Sequence, residues 1–84
     1  MKVKVLFFAS CRELAGTKEI AVTLEGAENS TEALRKKLVE LLPALEPVAW
    51  GITLAVNHEY TDPGQNVQLK DGDEVALIPP ISGG

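Results

Sequence analysis

Few residues in this sequence have the makings of chemistry, and the order of the last six is the hardest to explain by packing. Residues 79–84 read Pro-Pro-Ile-Ser-Gly-Gly, directly after the apolar run "EVALI". Gly83 and Gly84 have no side chain to bury and lose the most conformational freedom when ordered. Pro79 and Pro80 fix φ and direct the chain away from the preceding strand. Fully extended, Pro79 to Gly84 reaches roughly 20 Å. Lacking Cβ atoms, Gly83 and Gly84 can pass through a channel that refuses any other residue, with Ser82 following behind them. This order suits presenting the carboxylate of Gly84 to the active site of another protein. The plain alternative is a frayed end. No strand–Gly–helix context follows, so the glycines do not form a phosphate-binding loop.

The other chemical candidates are isolated. Cys11 is the single cysteine and precedes Arg12, whose charge lowers a nearby thiol pKa. A nucleophilic role also requires a base, and the only histidine, His58, lies in an expected turn far along the chain. Cys11 is therefore expected to be a small half-buried loop residue, and His58 a polar turn residue. Asp71, Asp73 and Glu74 resemble a carboxylate cluster, but Lys-Asp-Gly-Asp before a strand is ordinary turn chemistry. One cysteine and one histidine leave too few ligands for zinc, so no metal site is expected. The lone cysteine also excludes an internal disulfide and fits a reducing compartment.

Composition narrows the classes further. A chain of 84 residues makes one small domain, which buries a little over ~60% of its unfolded surface. With 45% hydrophobic and 24% charged residues, the body is expected to fold. A net charge of -4 argues against a nucleic-acid or anionic-membrane surface and suits a partner with a basic face. The opening apolar run, Val5 to Ala9, is shorter than the core of a signal peptide, and the segment alternates with lysines at its start. No segment approaches the ~20 apolar residues of a membrane span, so the expected location is the cytoplasm.

The elements that must position the tail are legible from their periods. Lys2 to Phe8 alternates, with Val3, Val5 and Phe7 on one side and Lys2, Lys4, Leu6 and Phe8 on the other. "CRELAG" reads as one helical turn stopped by Gly16. Ile20, Val22 and Leu24 mark a second strand, antiparallel to the first. Leu34, Leu38, Leu41 and Leu42 form one stripe of an amphipathic helix, ended by Pro43 and Pro47. Its cap is Asn29, spaced from Glu32 as in a capping box, or alternatively Ser30. "ITLAVNHEY" is a third strand that turns near Asn57-His58. "VQLK" is a short extended piece, and an Asp71-Gly72 turn leads to the last strand, Glu74 to Ile78. Trp50 is expected in the core or at its edge.

A hairpin, a helix and further strands imply an α+β domain: a mixed sheet with one main helix packed on one face. The last strand, long and apolar, is expected beside the first at the centre. This is the β-grasp, ubiquitin-like arrangement, spanning residues 1–78 and leaving 79–84 as a tail. One feature does not suit a solitary domain. If Val3, Val5, Phe7, Val75 and Leu77 face the helix, then Leu6, Phe8, Ala55, Ala76 and Ile78 face away from it. The uncovered face of a sheet is normally polar, and a contiguous apolar patch there marks a binding surface.

"KVLFFA", "RELAG", "LAVN" and above all "DGDEVALIPPISGG" closely resemble the small-subunit family of molybdopterin synthase, within the ubiquitin-like sulfur carriers. The similarity runs over essentially the whole chain. It implies that an E1-like adenylyltransferase consumes ATP to adenylate Gly84, which then becomes a thiocarboxylate. The tail enters the large subunit of the synthase and sulfur passes to cyclic pyranopterin monophosphate, building the molybdopterin dithiolene. A heterotetramer of two large and two small subunits is implied, with no cofactor bound by this chain. By the same matching, Phe8, Ile78, Pro79 and Pro80 fall where the family contacts its partners, beside Leu6 from the patch, and Tyr60 falls near that surface. The chain is then a non-autonomous sulfurtransferase subunit without an active site of its own.

Three alternatives remain. A related carrier for another pathway, such as thiamin, or a protein modifier would share fold, tail and activation. A plain interaction domain would carry the Gly-Gly end incidentally. A self-contained thiol enzyme would depend on Cys11.

Overall fold

The computed structural model describes residues 1–25, 29–62 and 65–79. The chain begins with β1 (Lys2–Phe7), whose Val3, Val5 and Phe7 are buried while Lys2 and Lys4 are exposed. α1 (Ala9–Ala15) follows and is longer than the single turn expected. Gly16 ends it at φ 75, a left-handed conformation that costs glycine nothing, and its N–H donates to the Arg12 carbonyl at 2.9 Å. β2 (Glu19–Thr23) returns antiparallel to β1, in the register Val3↔Val22 and Val5↔Ile20.

α2 (Thr31–Leu41) is the main helix. Of the two expected caps, Ser30 is the one used: its Oγ accepts from the Ala33 N–H at 3.3 Å. Leu34 and Leu38 are buried and Leu42 packs against the core, which is the i, i+4, i+8 stripe. Leu41 departs from expectation and stays exposed. The helix stops at Leu41, and the non-helical backbone of Leu42 turns the next leucine inward instead.

The proline-rich stretch builds two short pieces, a 3-10 turn (Pro43–Leu45) and α3 (Glu46–Ala49). Each carries a proline in its first turn, where the missing N–H costs nothing. They bury Leu45 and Ala49. Trp50, expected in or near the core, is 54% exposed. α3 is a single turn with Ala49 as its buried residue, so the next position falls outward.

β3 (Thr53–Val56) and β4 (Glu59–Tyr60) form a hairpin across Asn57-His58, both with positive φ, 50 and 73. This is the backbone sign pattern of a tight primed turn. The short strand therefore lies at Glu59–Tyr60, not within "VQLK". Residues 65–69 instead lace onto the start of α2. The Thr31 N–H donates to the Val67 carbonyl at 2.9 Å, and the Val67 N–H to Thr31 Oγ1 at 3.0 Å. Asn66 Oδ1 accepts from the Glu32 N–H at 3.1 Å, satisfying a donor that the first helical turn leaves open.

β5 (Glu74–Ile78) completes a five-stranded mixed sheet in the order β2-β1-β5-β3-β4. It runs parallel to β1 and antiparallel to β3, so the last strand is central and beside the first. The core is formed by Val3, Val5, Phe7, Val22, Leu54, Val75 and Leu77 of the sheet against Leu34 and Leu38 of α2. This is the α+β, β-grasp arrangement with one main helix on one face. Among the described residues no helix is long and apolar enough to cross a membrane.

Candidate functional site

Strand register arranges the face opposite α2 in rows. Leu6 pairs with Glu19 on one side and Ala76 on the other; Ala76 pairs with Ala55, and Ala55 with Tyr60. Side chains at paired positions share a face, so one row across the sheet reads Glu19, Leu6, Ala76, Ala55, Tyr60. Two residues nearer the strand ends lie Phe8 and Ile78, with Thr53 paired to Ile78. On the other side of the apolar row lie Lys4 and Glu74, also register partners. The outer face therefore grades from apolar at the C-terminal ends of β1 and β5 to charged at their starts.

The apolar part is concave and open to solvent. Leu6, Phe8, Ala55, Ala76 and Ile78 line a shallow hollow, with Tyr60, His58 and Glu74 along its rim. Phe8 is 47% exposed and Tyr60 72%. Phe8 and Phe7 are adjacent in sequence, yet Phe7 is 2% exposed, because successive strand residues point to opposite faces. The structure thus gathers Leu6, Phe8, Tyr60 and Ile78 into one surface, and half-buried Pro79 leaves the sheet from the same edge. Pro80, Ser82, Gly83 and Gly84 lie outside the described residues.

A family model described as the ThiS family matches residues 5–84. The chain belongs to the ThiS family. A molybdopterin synthase sulfur carrier subunit of Chlamydomonas reinhardtii is 47% identical, with 100% of both chains covered. Among solved structures, SAMP1 of Haloferax volcanii, a small archaeal modifier protein, matches with a TM-score of 0.81 and 33% identity, covering 100% of each chain. A chain from the complex of subunits 1 and 2 of molybdopterin-converting factor from Helicobacter pylori matches with a TM-score of 0.68 and 26% identity, again over 100% of each.

The remaining polar residues of this ThiS-family chain hold the fold together. Cys11 is neither in a loop nor half-buried: it sits in α1 with no exposure at all. Its N–H donates to the Phe8 carbonyl at 3.0 Å, and burial pushes the thiol pKa up despite the neighbouring Arg12. A protonated, enclosed thiol is a poor nucleophile. His58 is an exposed turn residue, with Nε2 3.9 Å from Glu74 Oε1.

Asp71 and Asp73 lock the turn before β5. Asp71 Oδ1 accepts from the Lys2 N–H at 2.7 Å, and Asp73 Oδ2 from the Lys70 N–H at 2.7 Å. Asp73 Oδ1 accepts from Asn57 Nδ2 at 2.9 Å. Hydrogen bonds from the Asn57 amide and the Lys70 N–H hold the Asp73 carboxyl below its ordinary pKa. Among the described residues, no three His, Cys, Asp or Glu side chains gather to hold a metal ion.

Asn57 is the residue that sequence reading missed. Its Oδ1 accepts from the Glu74 N–H at 2.9 Å, and its N–H donates to the Glu74 carbonyl at 2.8 Å. With the bond to Asp73, it fastens the β3–β4 turn to the start of β5. The available signal was an asparagine followed by a residue in a two-residue hairpin loop, where left-handed backbone favours Asn.

Proposed function

We propose that this chain is the sulfur-carrier subunit of molybdopterin synthase, working through the carboxylate of Gly84. An E1-like adenylyltransferase joins that carboxylate to AMP from ATP, releasing pyrophosphate. Sulfur then displaces AMP at the acyl carbon, leaving a thiocarboxylate. A carboxylate resists sulfur nucleophiles, whereas an acyl-adenylate carries a good leaving group. The thiocarboxylate is delivered to cyclic pyranopterin monophosphate within the large subunit, where tethering supplies a high effective concentration. This chain binds no cofactor, and ATP is consumed by the activating enzyme. The outer face, with Leu6, Phe8, Tyr60, Ile78 and Pro79, docks on the large subunit, and Pro80 to Gly84 enter its active site. The chemistry belongs to the complex, so the isolated chain has no active site of its own. Two copies with two large subunits form the working heterotetramer, in the cytoplasm.

The observation that carries this reading is the full-length similarity to sulfur carrier subunits of molybdopterin synthase, at 47% identity in the Chlamydomonas case. The uncovered apolar face beside the exit of β5 supports it independently, as does the likeness to one subunit of the Helicobacter pylori complex. The fold similarity to small archaeal modifier protein 1 favours a second reading, attachment of Gly84 to lysines of target proteins.

The test is mass spectrometry of the chain after incubation with the activating enzyme, ATP and a sulfur donor. Replacing a carboxylate oxygen by sulfur adds about 16 Da, with tandem fragments assigning it to Gly84 to exclude oxidation. The loaded chain is then mixed with the large subunit and cyclic pyranopterin monophosphate. A chain extended past Gly84, and verified uncleaved, is expected to gain no sulfur and form no dithiolene. Full activity from that extended chain refutes the carrier reading.

A further inference from the structure

The outer face stops being apolar at the row that holds Lys4 and Glu74, and its charges are unevenly matched. Lys4 and Glu74 are register partners, yet the Lys4 ammonium pairs with Glu19 on the opposite side, at 3.5 Å. Glu74 is left with His58 at 3.9 Å, a ring whose side chain is 89% exposed. The outer face carries Glu19 and Glu74 against Lys4 and, one row further from the hollow, Lys2, so its charge is balanced overall. Lys4 is engaged with Glu19, however, and Glu74 has only the imidazole beside it.

We propose that Glu74 is the charged anchor of the docking face and takes a guanidinium or ammonium group from a basic rim on the large subunit. The inference rests on the docking reading above and extends it to the partner's chemistry. Glu74 shares one hollow with Leu6, Ala76 and Tyr60, and its side chain is already only 35% exposed. A partner that covers those apolar neighbours removes the water that still solvates the carboxylate. A carboxylate stripped of water without a cation is strongly unfavourable. The distant, exposed His58 is too weak to compensate, and Lys4 is engaged with Glu19. The partner must therefore bring the positive charge. Glu74 is also preorganised for this, because Asn57 holds both its backbone N–H and its carbonyl, fixing the root of the side chain.

The experiment measures binding of the full chain to the large subunit by calorimetry, at salt from about 0.05 to about 0.5 M. Circular dichroism verifies the fold of every variant. Glu74→Gln is expected to weaken the complex about tenfold at low salt and to flatten its salt dependence, as loss of a desolvated charge partner requires. Lys4→Gln is expected to bind as well as the parent or more tightly, because it removes a charge that repels the incoming cation. Phe8→Asp is measured alongside. If Phe8→Asp loses binding while Glu74→Gln stays within about twofold of the parent, the anchor is wrong and the docking face stands. If Lys4→Gln weakens binding as much as Glu74→Gln does, the pair is internal to this chain and the inference is overturned. Unchanged binding by Phe8→Asp overturns the docking face and the anchor together.

Discussion

Aspartate at Phe8 and aspartate at Phe7 should produce opposite failures, although the two positions are adjacent. Phe8 is 47% exposed in the free chain. A phenylalanine carries roughly 200 Å² to bury, so on the order of 90 Å² remains to be covered on docking. At about 25 cal/mol per Å², that area contributes about 2 kcal/mol, or about 30-fold in affinity. An aspartate in the same hollow also puts an unpaired charge into the covered interface, so about 30-fold is a lower bound for Phe8→Asp. Its effect on folding should be small, because the side chain is outside the core cluster.

Phe7 is 2% exposed and belongs to that cluster. Losing a buried phenylalanine costs about 3–5 kcal/mol before any charge is buried in its place. A domain of this size is stable by only about 4–13 kcal/mol, so Phe7→Asp is expected to leave most of the population unfolded. The assay is thermal unfolding by circular dichroism together with titration against the large subunit. A folded Phe7→Asp protein that merely loses its partner, beside an unfolded Phe8→Asp, would reverse the two faces and refute the assignment.

Three further outcomes test the rest of the chain. Cys11→Ser should lower stability by about 1–2 kcal/mol, since it buries a hydroxyl where a thiol sat, yet still accept sulfur on Gly84; loss of transfer in the folded variant would bring the thiol enzyme forward. Asn57→Ala should destabilise by about 2 kcal/mol through the lost bonds to Asp73 and Glu74, whereas His58→Gly should stabilise by about 0.5–1 kcal/mol by relieving a left-handed non-glycine backbone, both read by urea unfolding. Asp73 has a depressed carboxyl pKa in the folded state, so its contribution is present above the unfolded carboxylate pKa and lost as pH falls through the folded one. The drop in melting temperature from about pH 7 to about pH 3 should accordingly be smaller in Asp73→Asn, and an equal drop would remove Asp73 from the acid limb.

What the sequence made legible follows from how short the relevant range is. Alternation in β1 and β5 is set by neighbours two residues apart, so Val3, Val5 and Phe7 could be separated from Leu6 and Phe8 without knowing the fold. The stripe of α2 was nearly as clear. It failed at Leu41 because the period alone does not say where a helix stops. Short elements carry too little period to read: α1 gave no stripe that would bury Cys11, and one-turn α3 gave none that would expose Trp50. "VQLK" looked extended and is extended, but its hydrogen bonds go to the start of α2, a partner over thirty residues away in sequence. The rows of the outer face were invisible for the same reason, since Lys4 meets Glu74 only through strand register. Resemblance, by contrast, gives the tail its proposed role directly, because a part played by Gly83 and Gly84 through backbone and carboxylate needs no packing to be read from sequence.

Parallel pairing of β1 with β5 is the topological choice that would couple the proposed docking to delivery. Because the two strands run the same way, Phe8 and Pro79 leave the sheet from one edge, just past the paired residues Phe7 and Leu77. Had β5 run antiparallel to β1, its last residue would sit near Lys2 and Lys4, on the order of 15 Å from Phe8. The tail reaches roughly 20 Å when fully extended, so most of that reach would be consumed in returning to the docked face. With the parallel pairing, the proposed docking needs no such return. The same pairing puts the charged row at the far end from the exit. A basic rim that grips Glu74 therefore orients the chain on its partner without touching the path of Gly84.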